Sequence, residues 1–343
     1  GCLHHSQLRT LQERRLTLWI ALVVVPLSLL MEGLSTTLAV HAFWRILAGW
    51  ASGHLMSGIP HLATLGCPTQ RRRRASALVM AGAGIGALIG ALSVGSLPTQ
   101  TLELGWLVLG GVASLLALPV AWLLRVGFRD EARHDPEAPL MHGEHPTGQI
   151  QHPIPLLCLA ASYFCLGAGQ APVALYEPLV VSQRLGATPM MSSESLAIFG
   201  AGCTAGSLLG LGFPRRWTTA MLLPAVALMG LIGNLLFLVG STAETIAAAT
   251  FLTGAWIWLT ASLTFDRIGQ LVDPSEVRRT WSLITMILGI GFALFAFSTS
   301  GLVAHQLDTL IQIGVALAGL QLLAEIMQWA TAPKLSRSAS KTS

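Results

Sequence analysis

The chain has 343 residues, of which 53% are hydrophobic and 10% are charged, and its formal net charge is +4. A soluble chain carries about 25% charged residues. This composition therefore excludes a soluble globular protein, and the small positive charge requires no nucleic-acid partner. Apolar stretches of roughly 20 residues, the length that crosses a hydrocarbon core about 30 Å thick, account for the composition instead. The sequence predicts an all-α polytopic membrane protein surrounded by the lipid bilayer.

Ten apolar stretches follow one another along the chain. Each predicts a membrane-spanning helix, because helices and closed barrels are the structures that satisfy their backbone groups in lipid, and the alternating pattern of barrel strands does not occur. The predicted spans are residues 16–34, 37–62, 75–97, 104–125, 155–181, 194–213, 219–240, 244–265, 280–303 and 308–330. Four of them precede the longest polar interruption and six follow it.

Residues 126–153 form that interruption and are rich in proline, histidine and acidic residues. They have no apolar face to bury, so we expect a flexible cytoplasmic linker. The predicted organisation is an N-terminal lobe of four helices, the linker, a C-terminal lobe of six helices and a cytoplasmic tail, at residues 1–125, 126–153, 154–332 and 333–343.

The spacing of histidine and cysteine predicts neither a metal nor a cofactor. Four histidines of the linker match no compact ligand pattern, so we interpret them as parts of a solvated loop; they are His134, His142, His145 and His152. The five cysteines include no C-x-x-C pair, and we interpret them as small apolar residues.

Arginine and lysine lie almost entirely on one side of the predicted spans. When residues 1–15 are placed inside and the spans alternate, nearly all of the 20 Lys and Arg residues fall inside, as the positive-inside rule requires. The densest group is then a topology anchor for the span 75–97; it consists of Arg71, Arg72, Arg73 and Arg74. We expect both termini in the cytoplasm and the chain in a plasma membrane, such as the bacterial inner membrane.

One segment of the chain is repeated. Residues 73–86, RRASALVMAGAGIG, align without a gap with residues 278–291, RRTWSLITMILGIG. Each segment begins with paired arginines at the inner end of a span and ends in Gly-Ile-Gly. Two halves related in this way and joined by a linker are typical of secondary transporters. Chance similarity between apolar helices that contain glycine is the alternative explanation.

Two short motifs lie within these spans. Arg45-Ile-Leu-Ala-Gly49 has the form R-x-x-x-G, and Gly82-x-x-x-Gly86-Ala87-x-x-Gly90-Ala91 is similar to G-x-x-x-G-P-x-x-G-G. These motifs resemble patterns on the fourth and fifth helices of the major facilitator superfamily. The resemblance covers the sequence from about residue 1 to 330. Alanine replaces the proline and the last glycine. Because the full pattern is linked to antiport, the direction of transport stays open.

If this register holds, we expect the first span to correspond to the family's third helix and the given sequence to lack the first two family helices. Gly1 then corresponds to the first glycine of the loop signature G-x-x-x-D-R-x-G-R-R. His5 and Ser6 stand where Asp and Arg are expected, while Arg9 fits.

The resemblance implies a secondary transporter that moves a small solute by alternating access, with protons as the candidate coupling ion. The alternative is a truncated, non-transporting remnant that acts as a packing or regulatory membrane protein. The sequence contains no G-x-x-x-x-G-K-[ST] loop, no G-x-S-x-G and no H-E-x-x-H, so we expect neither direct ATP drive nor an enzyme.

Arg45 is the leading candidate for a residue that contacts substrate or the coupling ion. An arginine inside a span costs about 2.5–3.5 kcal/mol on insertion scales, so it normally faces a polar cavity and a partner. Snorkelling to the outer interface is the alternative. His54 and His61 lie seven residues apart on the same face and are candidate coupling groups near neutral pH. A hydrogen bond to a neighbouring helix would explain each of them equally well.

The span 155–181 combines polar residues with glycine and proline, which predicts a bent or interrupted helix beside the substrate. We expect Tyr163 and Gln170 to line the cavity and Glu177 to lie nearer the outside, in an outer gate.

Two further predictions concern the span 244–265 and the loop after it. Trp256 and Trp258 are two residues apart and face nearly opposite sides, so at most one lines the cavity, and Trp256 is the candidate. Beyond the span, Asp266 and Arg267 belong to a group of mixed charges that predicts a salt-bridge latch on the cytoplasmic face.

Glycines at helical spacing predict close approach of neighbouring helices, by packing alone or by sliding as the lobes rock. Spacing of four places three of them on one face of the span 75–97. The predicted packing and gating glycines are Gly49, Gly82, Gly84, Gly86, Gly90, Gly289 and Gly291.

Overall fold

A computed structural model describes residues 1–8, 10–64, 67, 69–95, 97, 102–134, 152–186, 189–214, 216–302 and 306–331. Regular structure in these ranges is helical. The helices are α1 (Cys2–Gln7), α2 (Leu11–Gly33), α3 (Leu38–Thr64), α4 (Thr69–Gly95), α5 (Leu102–His134), α6 (Pro153–Leu185), α7 (Pro189–Gly212), α8 (Thr219–Val239), α9 (Ala243–Leu271), α10 (Val277–Thr299) and α11 (Leu307–Ala330).

Within the described ranges, nine helices are long and apolar enough to cross a membrane, namely α2 and α4 to α11. They confirm the prediction of an all-α polytopic protein. The helix α3 corresponds to the remaining predicted span and has the necessary length, 27 residues. It is less apolar than the nine because it carries Arg45 and three histidines.

Local sequence sets several helix ends. The Thr10 hydroxyl accepts from the Glu13 backbone N–H (3.1 Å), and the Glu13 carboxylate accepts from the Thr10 N–H (3.2 Å), which forms a capping box before α2. Gly186 ends α6 with a φ of +60°, a left-handed conformation that glycine adopts without strain.

The helix α5 corrects the predicted start of the linker. Residues 126–134 continue this helix instead of forming a loop. Phe128 explains the extension, because its ring is buried with Leu18, Leu22 and Leu124, and its carbonyl accepts a hydrogen bond from the Arg15 guanidinium at 2.5 Å. The rest of the predicted linker, residues 135–151, and the predicted tail lie outside the described residues.

The prediction for α6 is a bent or interrupted helix. The observed α6 is one continuous helix of 33 residues through Pro172 and Pro178, so it is not interrupted, and the bend stays a prediction. Each proline removes one backbone donor, but the neighbouring helix accommodates the first ring, since Gly314 of α11 has no side chain where Pro172 lies.

The helices pack as two groups that meet along two lines. In the first half of the chain, α2 packs against α3 and α5; in the second half, α6 packs against α10 and α11, and α8 against α9 and α11. Between the halves, α4 lies along α7 and touches α9, while α1 and α3 lie against α10. The largest core cluster belongs mainly to the second half and centres on Trp256, Trp281 and Phe265.

Candidate transport site

Two seams join the halves, and the first is built from glycine. A Cβ atom on Gly84 of α4 would lie 2.7 Å from the carbonyl carbon of Cys203, and a Cβ on Gly200 of α7 would lie 2.7 Å from the Cα of Leu88. The two backbones therefore touch directly, as small residues permit in membrane helices. We call this contact of α4 with α7 the glycine seam.

One end of the helix bundle carries Arg71–Arg74 and Arg278–Arg279, and we call it the arginine-rich end. The second seam is polar and lies at this end. The Arg278 guanidinium donates to the carbonyl of His5 (2.8 Å) and to that of Leu8 (3.0 Å). Slightly deeper, the Trp281 indole N–H donates to the carbonyl of Met56 at 2.9 Å. These three bonds from α10 to α1, the residue after it and α3 form the polar seam.

One arginine of the run 71–74 makes contacts that the sequence did not predict. The Arg73 guanidinium donates to the carbonyls of Phe213 (2.7 Å) and Trp217 (3.3 Å), beyond the end of α7. Ser76, one turn further along α4, lies with its hydroxyl 3.0 Å from that of Ser262 on α9. Arg73 thus ties the halves together, while Arg71 and Arg74 are exposed and their anchoring role stays a prediction.

His54 is buried and lies in a cluster of imidazoles with the buried His5 and the exposed His4. Its Nε2 is 3.1 Å from Nδ1 of His4, and its Nδ1 is 3.2 Å from Nδ1 of His5. Burial, and secondarily the positive charge of Arg278, lowers the pKa of His5 to about 3. In the part of the chain that the structure describes, no three His, Cys, Asp or Glu side chains are arranged to hold a metal ion.

His61 lies two turns beyond His54, at the arginine-rich end. With His5, Arg14 and Arg278 it lines a small cavity between the halves. The two histidines that share a helical face in the sequence are therefore both beside the polar seam.

Arg45 has a partner that the sequence analysis missed. Its Nε is 3.1 Å from Oε2 of Glu32 on α2, and its guanidinium carbon lies 4.1 Å from the centre of the Trp106 ring on α5. The Glu32 side chain is fully buried, whereas that of Arg45 is half exposed. A carboxylate near the end of an otherwise apolar span was the available signal, because such groups require a partner in a membrane.

The predicted packing glycines differ in what surrounds them, and the helix that packs most closely on α4 does not use the predicted face. Gly84 packs against α7, and Gly291 against the backbone of Phe164 on α6. Gly90 lies near Leu109 of α5, at 3.3 Å from a built Cβ. For the others, no described atom lies within 4 Å of a built Cβ; they are Gly49, Gly82, Gly86 and Gly289. Close approach of α4 thus uses the face of Gly84 rather than the face of Gly82, Gly86 and Gly90.

The three polar candidates on α6 are all buried. Tyr163 packs edge-on against Trp281, with ring centres 6.1 Å apart, one contact away from the polar seam. Gln170 is 8% exposed. Glu177, nearer the opposite end, accepts a hydrogen bond from the Ser195 hydroxyl of α7. Their predicted roles at the cavity and the outer gate stay predictions.

The structure corrects the predictions for α9. Trp256 is fully buried against Gly230 of α8, and α8 packs on α9 and α11, away from the first half. Asp266 and Arg267 are also buried, because α9 continues to Leu271. They lie in a helix rather than in a surface loop, and Asp266 faces Arg72 and Arg73 of α4; the predicted latch stays a prediction.

A polar group inside the second half was missed as well. The Ser162 hydroxyl of α6 donates to Glu325 of α11, and the Thr219 hydroxyl donates to Asp266 at 2.5 Å. Gln321 and Gln328 flank Glu325 and are fully buried. The sequence could have indicated this group, because Gln321, Glu325 and Gln328 are polar residues in the otherwise apolar span 308–330.

Residues 1–328 match the family model described as "Uncharacterised MFS-type transporter YbfB". The chain belongs to the major facilitator superfamily. This match confirms the resemblance that the motifs of α3 and α4 indicated. No curated protein sequence matches the chain.

Solved structures share the fold of this MFS protein at low identity. The human organic anion transporter MFSD10 superposes with a TM-score of 0.69 at 15% identity, over 92% of this chain and 77% of that one. FucP in the outward conformation gives 0.67 at 13%, over 92% and 83%. A bacterial homologue of ferroportin in an outward-facing state gives 0.64 at 14%, over 93% and 84%.

Proposed function

We propose that this MFS protein is a secondary transporter that moves a small solute by alternating access, coupled to protons, with the arginine-rich end in the cytoplasm. The polar seam carries the proposal. Three hydrogen bonds hold α10 to the first half at the arginine-rich end, and such bonds can break and re-form as a gate.

The remaining parts of the same helices support this function. Near the opposite end of α3, the Arg45 side chain is half exposed, and in the middle of α10, no described atom lies within 4 Å of a Cβ built on Gly289. Hydrogen bonds between the halves at the arginine-rich end, with α3 exposed at Arg45 near its other end, fit one of the two states that alternating access requires. FucP and the ferroportin homologue, whose structures are described as outward, have the same fold.

Arg45 is the proposed contact for the solute. Its guanidinium is held by Glu32 and stacks on Trp106, so a carboxylate of a solute can replace Glu32 as its partner. The first solutes to test are therefore small organic anions, the class printed for MFSD10.

Transport into proteoliposomes tests the proposal. The purified chain is reconstituted with an imposed pH gradient, and uptake of a panel of labelled organic anions is measured. Arg45→Ala should reduce the rate about tenfold or more, because the loss of a charged hydrogen bond costs about 1.5–3 kcal/mol. Arg129→Ala, an exposed arginine on α5, is the matched control. Equal rates in Arg45→Ala and the parent would exclude Arg45 as the solute contact.

A non-transporting role is the second candidate, and one observation favours it. Gly291 of α10 packs on α6, whereas Gly86, its counterpart in the repeat, meets no described atom within 4 Å. The face of Gly82 and Gly86 could receive a helix of another protein. Absence of uptake for every anion of the panel, together with a partner protein that crosslinks to this face in membranes, would favour that role.

A further inference from the structure

The inner face of α11 changes character along its length. Its buried residues near the far end are apolar or small, Leu310, Ile311, Gly314 and Ala318, and those near the arginine-rich end are Gln321, Glu325 and Gln328. All three polar side chains are fully buried. Polar groups in this position are costly unless they are satisfied or functional.

Glu325 has one hydrogen-bond partner among the described residues. The Ser162 hydroxyl donates to its Oε1, while its Oε2 has none. The amide oxygen and nitrogen of both Gln321 and Gln328 also lack partners in the described part of the chain. A carboxylate removed from water with a single neutral donor requires a cation or a proton.

The cation near Glu325 is Arg267 of α9. Its charge acts on Glu325, yet its Nη1 donates to Gln270 at 3.0 Å, and its Nε and Nη2 have no hydrogen-bond partner among the described residues. Arg267 and Glu325 are therefore both buried and within electrostatic range of each other, while Oε2 of Glu325 and Nη2 of Arg267 have no hydrogen-bond partner among the described residues.

The other ionisable groups around Glu325 are few. The helix α6 contributes Cys158 and Tyr163, both within electrostatic range of the carboxylate. The helix α8 has no ionisable residue. On α9, Asp266 is bound by Thr219 and by Gln270 at 3.0 Å and also faces Arg72 and Arg73 of α4. Arg267 is thus the cation available to Glu325.

We propose that Glu325 is a proton-binding site of the second half and that Arg267 competes with the proton for it. In the state described, the proton resides on Oε2 and Arg267 stays with Gln270. When Arg267 moves to the carboxylate, the O–H bond breaks, the proton leaves to water, and an Arg267–Glu325 ion pair replaces it. The inference deepens the proposed function, on which it rests, by naming where a coupling proton binds.

The position of the group connects it to the gate. Glu325 lies five residues before the end of α11, about 8 Å along the axis, so an exchanged proton has a short way to the arginine-rich end. Ser162 is followed in α6 by Tyr163, which packs on Trp281 of the polar seam. Two consecutive residues of α6 thus connect Glu325 with the seam, since Ser162 binds the carboxylate and Tyr163 packs on Trp281.

Infrared difference spectroscopy tests the proton site without transport. The full chain is purified in a detergent that lacks carbonyl groups, and spectra are recorded as the pH is raised. We expect the C=O band of a protonated carboxyl group to disappear with rising pH, to be absent in Glu325→Gln and to remain in Glu177→Gln, the matched buried glutamate. A full band in Glu325→Gln, or its loss in Glu177→Gln alone, would overturn the assignment.

Two further variants secure the result. Ser162→Ala removes the donor to Oε1, so the band should move to higher frequency; an unchanged band would overturn the assignment even if Glu325→Gln is not recovered as a monodisperse protein. Arg267→Gln removes the competing cation, so the band should persist to higher pH, and an unshifted disappearance would refute the competition.

Sodium chloride and choline chloride at equal ionic strength distinguish a proton from a metal cation. Loss of the band on addition of Na⁺ at constant pH would show that Glu325 binds the metal ion, and the proton assignment would be wrong. If no anion of the proteoliposome panel is taken up while the infrared band behaves as expected, the proposed transport is contradicted and the proton site is still supported.

Discussion

The glycine seam and the polar seam join the same two halves by opposite means. In the glycine seam, α4 and α7 touch backbone to backbone, and no side chain at Gly84 or Gly200 could be moved aside. In the polar seam, three side-chain donors reach carbonyls at the arginine-rich end. The first suits a pivot that stays closed, and the second suits a gate that opens.

Gly84→Leu should have the largest effect, because it breaks the pivot. A Cβ at this position would lie 2.7 Å from the backbone of α7, and overpacking of this kind typically costs about 1–3 kcal/mol or more. We expect a lower thermal midpoint and a lower yield of monodisperse protein. Gly82→Leu, with no described atom within 4 Å of a Cβ, is the control and should be tolerated. Equal losses in both variants would show that α4 pivots on another face.

Arg278→Ala should open the gate and leave the pivot intact. It removes two charge-assisted hydrogen bonds, each worth about 1.5–3 kcal/mol. Spin labels on the exposed residues Gln12 and Ser275 should then report longer distances across the arginine-rich end. The neighbouring Arg279→Ala is the control, since its contact with Glu276 is an exposed pair at 3.8 Å worth about 0–1 kcal/mol. Unchanged distances in Arg278→Ala would remove the polar seam from the gate.

Acid should weaken the gate through His5. Its pKa of about 3 in the folded protein is below the ordinary value near 6.5, so the unfolded chain binds the proton more readily. The contribution of His5 to stability is complete above pH 6.5 and falls by up to about 1.4 kcal/mol per pH unit between 6.5 and 3. His5→Asn keeps the carbonyl bond to Arg278 and should flatten the dependence of the thermal midpoint on pH. An equally steep dependence in the variant would show that other groups cause it.

Trp281→Phe should have the smallest effect of the four. It removes one neutral hydrogen bond to Met56, worth about 0.5–1.5 kcal/mol, and keeps an aromatic ring against Tyr163 and Phe265. The same label pair should show a minor population of longer distances. A shift as large as that of Arg278→Ala would mean that the indole, rather than the guanidinium, holds the gate.

The sequence predicts the spans and the family because both depend on local patterns. Span length and the scarcity of charge mark the helices α2 and α4 to α11 directly, and Arg45 with Gly49 lies within about one turn of a helix. Partners across helices are different. The pair of Arg45 with Glu32 and the bond of Ser162 to Glu325 depend on how helices rotate about their axes.

Helix rotation also explains the errors. Gly82, Gly86 and Gly90 form one face in the sequence, but α7 packs on Gly84, where the missing side chain leaves room for the backbone of Cys203 and Thr204. Trp256 lies on α9 toward α8 for the same reason, since Gly230 leaves space for its ring. An apolar span has no strong polar side to fix its rotation, so complementary shapes on a distant helix decide it.

In the polar seam, every acceptor is a main-chain carbonyl. Arg278 and Trp281 therefore bind atoms that any residue would supply at positions 5, 8 and 56, although the charge of the side chain at position 5 still affects Arg278. Substitutions there can accumulate, and can adapt the surrounding surface to another solute or membrane, while the bonds persist. The two donors on α10 are thus the points at which a designer can tune how long the gate stays shut.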